Sequence, residues 1–285
     1  MKVTVVIVSW NVADLLRRCL SSLRQHSTTM DLEVIVVDNN SLDDSITMMQ
    51  TEFPEVVLLK NNVNKGFAAA NNQGFLQASG DYILMLNPDT EVRPNAIEQL
   101  IHYLAQHPAV GIIGPALINP DGSRQHSVRR NPTVFDQTAV LLKLINVVPV
   151  IWPLRQYLCL DFDYTRPAEV QQLMGAALCF RRSLLTTIGP LDEDFFLWFE
   201  EVDFCCRTQK AGLKLFYYPL AEIVHLGKAS FRQHFTLKLQ KMFNRSLITY
   251  FLKHGTIFSV LWLQLMVPLN ICLTWLYGLT QNRHR

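Results

Sequence analysis

Tyr82-Ile83-Leu84-Met85-Leu86-Asn87-Pro88-Asp89-Thr90-Glu91 opens as five apolar residues and ends in a turn. An unbroken apolar run of that length suits a strand buried on both faces of a parallel sheet. Asn-Pro-Asp cannot continue a central strand and is typical of turns. Open α/β sheets place their ligand chemistry just beyond such strands, at the C-terminal edge, where Asp89 would present a carboxylate. Taken alone, Asp89 is equally a turn residue or the N-cap of a helix over residues 95–106.

Working outward, residues 3–9 read as a first strand, with Asn11 as candidate cap of the helix that follows. Leu15, Leu16, Cys19, Leu20 and Leu23 line one face of that helix. Strands at 32–37, 56–59 and 110–117 and helices at 43–51, 67–78 and 95–106 complete the pattern. Strands alternating with helices at this spacing predict a mostly parallel α/β sheet with helices on both faces. Ser9-Trp10-Asn11, Asp38-Asn39-Asn40 and Asn87-Pro88-Asp89 all follow strand ends, so they are expected on one rim. Residues 119–166 are loosely patterned and broken by Pro149 and Pro153, as in an inserted segment. Further on, 172–180 reads as a strand, 183–188 as a short helix, and 213–218 and 221–225 as two strand pieces. The second half of 192–203 opens a helix closed by Gly212.

Composition narrows the class. The 285 residues are 49% hydrophobic and 18% charged, with net charge +2 and no dense basic run, which argues against a nucleic-acid binder. The six cysteines lack C-x-x-C spacing and read as reduced core residues. The apolar start at residues 3–8 is too short for a signal peptide and lacks a cleavage site. Residues 231–253 form a basic amphipathic stretch, with Lys238, Lys241, Arg245 and Lys253 among apolar residues. No formally charged residue then appears between His254 and Arg283. That gap exceeds the ~20 residues a bilayer span needs. Trp262, Trp275 and Tyr277 suit interfacial positions. Pro268 leaves one kinked span, or two short helices lying in or re-entering the membrane surface; a hydrophobic helix docked on the domain is the bland alternative. The basic flank favours the cytoplasmic face of the cell (inner) membrane. An α/β domain over 1–230 and a membrane-associating segment over 231–285 are expected.

Six motifs, in order, resemble glycosyltransferase family 2, the inverting sugar-nucleotide transferases of the GT-A (Rossmann-like) fold. The nearest likeness is to rhamnosyltransferase-like members that build bacterial cell-surface polysaccharides. The motifs are Val5-Val6-Ile7-Val8-Ser9-Trp10-Asn11, Val36-Val37-Asp38-Asn39-Asn40-Ser41, Asn64-Lys65-Gly66-Phe67-Ala68-Ala69-Ala70-Asn71, Leu86-Asn87-Pro88-Asp89-Thr90, Phe199-Glu200-Glu201-Val202-Asp203 and His225-Leu226-Gly227-Lys228-Ala229-Ser230.

The resemblance implies a nucleoside-diphosphate sugar donor held by Ser9, Asn11, Asp38, Asn40, Asn64, Lys65, Gly66 and Asn87. It implies an acceptor that is a glycan or lipid-linked, with residues 119–166 as an acceptor-facing or membrane-facing insertion. A carboxylate such as Asp38 can accept a hydrogen bond from a pyrimidine imide. The helix opened by Asn64-Lys65-Gly66 would favour a pyrophosphate through its N-terminal N–H groups. Asn87-Pro88-Asp89 stands where the family has Asp-x-Asp for Mg2+ or Mn2+. Asp89 is then the expected metal ligand, with His225 as another. Inverting transfer needs one general base. Where the family has Glu-Asp this chain has Glu200-Glu201, so Glu201 holds the base position and Glu200 is the runner-up. The bland reading of both is acidic residues at a helix N-terminus, with Asp203 and Arg207 as an i,i+4 pair. Two other functions remain open on sequence. One is a non-catalytic scaffold on the same fold. The other is a sugar-nucleotide pyrophosphorylase, which would need a Gly-rich, basic N-terminal loop not seen at residues 9–13.

Overall fold

The computed structural model describes residues 1–26, 30–227 and 237–282. Its first half alternates strands and helices: β1 (Lys2–Ser9), α1 (Ala13–His26), β2 (Asp31–Asp38), α2 (Ser45–Glu52), β3 (Val57–Lys60), α3 (Phe67–Gln77), β4 (Tyr82–Leu86), β5 (Thr90–Val92), α4 (Ala96–Gln106) and β6 (Val110–Ile118). The second half is more irregular: β7 (Val128–Arg129), α5 (Val134–Leu141), α6 (Trp152–Tyr157), β8 (Ala168–Val170), β9 (Gln172–Leu173), β10 (Ala177–Arg181), α7 (Leu184–Ile188), α8 (Glu200–Lys210), β11 (Lys214–His225), α9 (Leu237–His254) and α10 (Ile257–Asn282).

The main sheet runs β3-β2-β1-β4-β10-β6-β11-β5, with β8 on β11. From β3 to β4 it is parallel, as the alternating pattern requires, and β6 pairs parallel with β11. Between these parallel portions, β10 is antiparallel to both β4 and β6. Alternate residues of β4 feed two cores. Leu84 and Leu86 pack with α1, α2 and α4, whereas Ile83 and Met85 pack with α3, α7 and α8. Burial on both faces explains why the strand shows no polar alternation.

Four expectations change. Residues 172–180 are two strands, because 174–176 turn the chain: β9 pairs with β7 in a separate ribbon, while β10 enters the main sheet. The pieces at 213–218 and 221–225 are one strand, β11, which shifts register against β6 between Tyr218 and Glu222. Asn11 does not cap α1. It has φ 54, and the Ala13 N–H is taken by the Asp43 carboxylate at 2.9 Å. The loosely patterned 119–166 stretch holds α5 and α6, with Thr133 and Asp136 forming a capping box on α5.

Pro268 does not split the C-terminal segment, because α10 runs through it. Proline removes one backbone donor and crowds the preceding turn. Packing on either side keeps the helix continuous, with Val260, Leu263, Asn270 and Thr274 all buried. A polar relay ties this face down. Gln240 donates to Asn244, Asn244 donates to Asn270 at 2.9 Å, and Asn270 donates to the Leu141 carbonyl at 2.7 Å. Arg283, Arg285 and residues 228–236 lie outside the described residues.

α9 ends against α8. Lys210 donates to His254 Nδ1 at 2.7 Å, so the imidazole proton sits on Nε2 and is donated to the Asp203 carboxylate at 2.7 Å. Asp203 also pairs with Arg207, as its spacing predicted. Replacing His254 with Ala (H254A) should leave a buried carboxylate short of one partner. The expected cost is about 1–3 kcal/mol, lowering Tm by roughly 2–4 °C per kcal/mol for a chain of this size. Calorimetry would check it; an unchanged Tm would mean that α9 is not anchored through this contact.

Candidate active site

The register of the parallel strands sets the site. Ser9 lies opposite Asp38, and Ile7 opposite Leu86. The three polar turns therefore leave the sheet along one rim. Asp38 is fully buried. One carboxylate oxygen accepts from the Ser41 N–H at 3.0 Å; the other, like the buried Ser9 hydroxyl, has no partner among the described residues. Asn11 and Asn40 both adopt positive φ, which asparagine tolerates better than most residues. The Asn11 carboxamide oxygen accepts from the Leu42 N–H at 2.7 Å, so it fastens the 38–42 loop.

Asn39 is the hub that sequence reasoning missed. Its carbonyl accepts from the Lys65 N–H (2.9 Å) and from Asn61 (3.1 Å), and its amide donates to Asn64 and to the Gly66 carbonyl. The loop carrying Asn64-Lys65-Gly66 is thus sewn to the end of β2, with Lys65 itself exposed. Gly66 has φ +86, and a Cβ there would fall 2.5 Å from the Phe196 carbonyl oxygen. The same carbonyl accepts from the Phe67 N–H at 2.8 Å. This close approach joins the start of α3 to the segment leading into α8.

On the next turn, Asn87 is half-buried; its N–H donates to the Ala176 carbonyl and its own carbonyl accepts from Thr90 Oγ1. Asp89 is buried, and its carboxylate lies 3.5 Å from His225 Nε2. Strand pairing enforces this proximity, since His225 is opposite Thr90 and the Leu226 N–H donates to the Asp89 carbonyl.

Glu200 and Glu201 form the first turn of α8. The two preceding residues, Trp198 and Phe199, have φ 65 and 71, an uncommon conformation for large side chains. A hydrophobic cluster of Phe195, Phe199, Val202, Leu247 and Tyr250 holds them there. Glu201 lies against Gly175, where a Cβ would sit 3.2 Å from its Cβ and Cγ. Gly175 adjoins Ala176, which binds Asn87, so the 174–176 turn brings Glu201 to the same rim. Burial raises the pKa of Glu201. It raises that of Glu200 well above the ordinary range, and the neighbouring Glu201 charge adds to the shift. Glu200 also keeps one buried oxygen without a partner among the described residues. Both carboxyls therefore favour the protonated form more than an exposed glutamate would, Glu200 the more strongly.

This arrangement agrees with the comparison to known families: residues 4–162 match the model for Glycosyl transferase family 2. The chain belongs to glycosyltransferase family 2. Over 235 residues it is 29% identical to an N-acetylglucosaminyl-diphospho-decaprenol L-rhamnosyltransferase of Mycobacterium tuberculosis, covering 78% of this chain and 75% of the relative. A low-salt glycan biosynthesis hexosyltransferase, Agl10 of Haloferax volcanii, is 24% identical over 68% of this chain and 58% of its own length. Among solved structures, GalNAc-T7 with UDP, GalNAc and Mn2+ aligns at TM-score 0.61 and 18% identity, over 79% of this chain and 44% of that one. A mannosyltransferase of Pyrobaculum calidifontis in complex with GDP-Man and Mn2+ aligns at 0.58 and 18%, over 95% and 72%. The fold is thus the mixed α/β architecture of these transferases.

Among the described residues, this glycosyltransferase has no group of three or more His, Cys, Asp or Glu side chains able to hold a metal. Asp89 and His225 nevertheless bring a carboxylate oxygen and an imidazole nitrogen together. That donor set fits a divalent cation.

The raised pKa of Glu200 has a stability consequence. The folded chain favours the protonated acid, so ionisation costs stability as pH rises from the ordinary Glu value of about 4.3 through the raised folded value. Glu200→Gln is therefore expected to raise Tm at pH 7–8 and to lose that gain near pH 4. A pH-independent effect on Tm would contradict this.

Proposed function

We propose that this glycosyltransferase uses a nucleoside-diphosphate sugar and a divalent cation, Mg2+ or Mn2+, and inverts the anomeric centre. The observation that carries the reading is the convergence of Asp38, Asp89 with His225, and Glu201 on one rim of the sheet. Asp38, with an unspent carboxylate oxygen, accepts an N–H from the nucleobase. The start of α3 and Lys65 face the diphosphate. Asp89 and His225 would hold the cation, which when bound neutralises charge on the departing diphosphate. Glu201, ionised, takes the proton from the acceptor hydroxyl as its oxygen attacks C1 and the bond from C1 to the diphosphate breaks. The named relatives support a sugar acceptor within a glycan or on a lipid carrier, with rhamnose or another hexose transferred.

Two variants test this division of labour. Asp89→Ala should abolish the thermal stabilisation that UDP or GDP gives only in the presence of Mn2+. Glu201→Gln should retain that stabilisation and lose ~10²–10⁴-fold in turnover. Metal-dependent nucleotide binding that survives in Asp89→Ala would sink the cation assignment, and a larger rate loss in Glu200→Gln would exchange the two glutamates.

The same reading places the enzyme on a membrane, at the cytoplasmic side where sugar nucleotides are found. Residues 257–276 of α10 are long and apolar enough to cross a bilayer. The inner face of this helix is instead bound along its length to α5 and α9. Its outer face exposes Phe258, Leu261, Trp262, Leu265 and Trp275, and Phe135 on α5 is exposed beside an apolar groove of about 710 Å³ between α5 and α10. A charge-free helix docked in this way is suited to lie in the plane of the interface, with the domain taking the place of its polar face. The double substitution Phe258→Glu with Trp262→Glu should release the protein from anionic phospholipid vesicles in flotation, without lowering transfer to a water-soluble acceptor. Undiminished flotation would refute the in-plane contact.

A further inference from the structure

The strand-flanking turn at residues 119–125 carries a hydrogen-bond relay whose direction can be worked out donor by donor. The Asp121 carboxylate can only accept, so the Ser123 hydroxyl spends its proton on it, at 2.6 Å. Ser123 Oγ must then accept from Asn119 Nδ2, at 2.9 Å, which turns the Asn119 carbonyl oxygen outward. That oxygen accepts from Gln125 Nε2 at 2.8 Å. The same Nε2 donates to the backbone carbonyl of His225 at 2.6 Å, a second group that can only accept. Two acceptors therefore fix which end of the Gln125 amide is nitrogen. Its carbonyl oxygen is left 2.9 Å from His225 Nδ1, which must donate.

We infer that Gln125 is a positioning residue: it holds His225 in its Nδ1–H tautomer, so that the Nε2 lone pair, facing Asp89, is ready to take a divalent cation. The inference rests on the cation reading above and extends it to a residue outside the six motifs. The Asp89–His225 separation supports it. At 3.5 Å the pair is longer than a charge-assisted N–H···O contact, which spans about 2.7–2.9 Å. A carboxylate oxygen and an imidazole lone pair facing one another repel until a cation lies between them. Pairing of β11 with β5, and the Leu226 N–H on the Asp89 carbonyl, keep them from drifting apart. Orientation of a ligating imidazole through its other nitrogen commonly changes metal affinity about 10–100-fold when lost.

The test uses the full-length protein and two readouts besides turnover. In ¹⁵N-histidine-labelled protein, long-range ¹H–¹⁵N correlation at neutral to mildly alkaline pH, without metal, should show His225 with an unprotonated Nε2. The signal is assigned by its loss in His225→Gln. Gln125→Leu should abolish that tautomer preference and weaken Mn2+ binding about 10–100-fold, measured by paramagnetic resonance with Mn2+ alone and with Mn2+ plus UDP. A wild-type protein that binds Mn2+ under neither condition overturns the cation reading itself. Wild-type binding that Gln125→Leu leaves unchanged, or a His225 that carries its proton on Nε2, overturns the role given to Gln125. The wild-type spectrum decides the tautomer even if Gln125→Leu does not fold.

Discussion

The in-register parallel pairing of β1 with β2 and with β4 is the constraint on which the site depends. Three apolar strands run the same way, so their polar ends emerge at one level. The strands can be apolar throughout because helices cover both faces. The chain segments that reach the rim are fastened to those ends by hydrogen bonds, through the Asn39 side chain in one case and through the backbone in the others. Asn39 gathers the 61–66 loop, Ala176 meets Asn87, and Leu226 meets the Asp89 carbonyl. Asp38 is the last paired residue of β2 and Asp89 lies past the end of β4, so neither carboxylate interrupts the ladder.

The proposed base is supported from the far end of the chain. Trp198 and Phe199 hold left-handed backbone conformations that large residues seldom adopt, and α9 and α10 supply much of the hydrophobic cluster around them. Ser246 donates to the Leu197 carbonyl, Lys253 pairs with Asp192 and Asp194, and His254 reaches Asp203. The exposed Lys253 pairs contribute modestly to stability; the buried Asp203 contacts contribute more. The C-terminal helices proposed to meet the membrane are therefore also part of the packing that shapes the turn before Glu200. Removing them would disturb the site as well as the attachment.

Placing a buried Glu200 beside a half-buried Glu201 at the start of α8 works against folding. A carboxylate with a raised pKa is a stronger base, and the shift is larger at Glu200, where the neighbouring Glu201 charge adds to burial. The N-terminal dipole of α8 offsets part of the burial cost. Gly175 permits Glu201 to pack closely without a side chain in the way.

Much of this was legible in the sequence. Apolar runs ending in Ser9, Asp38 and Asn87-Pro88-Asp89 determined the parallel half of the sheet and the rim, because buried strands and polar turns have distinct local signatures. The Asp203–Arg207 pair followed from helical spacing alone. Tertiary structure decided what local pattern cannot encode. Residues 172–180 look like one strand, yet 174–176 turn the chain so that Gly175 meets Glu201; only contact with α8 and β4 reveals why. Asn39 looked like one of three turn residues, and its role lies in partners 22 to 27 positions away. Gln125 gave no signal at all, since its importance rests on a histidine 100 residues downstream. Pro268 left a kinked span or two short helices open, and packing of one face before and after the proline decides for a continuous helix. Local sequence reports what a segment prefers; which distant side chain completes a hydrogen bond is settled only when the sheet and its covering helices come together.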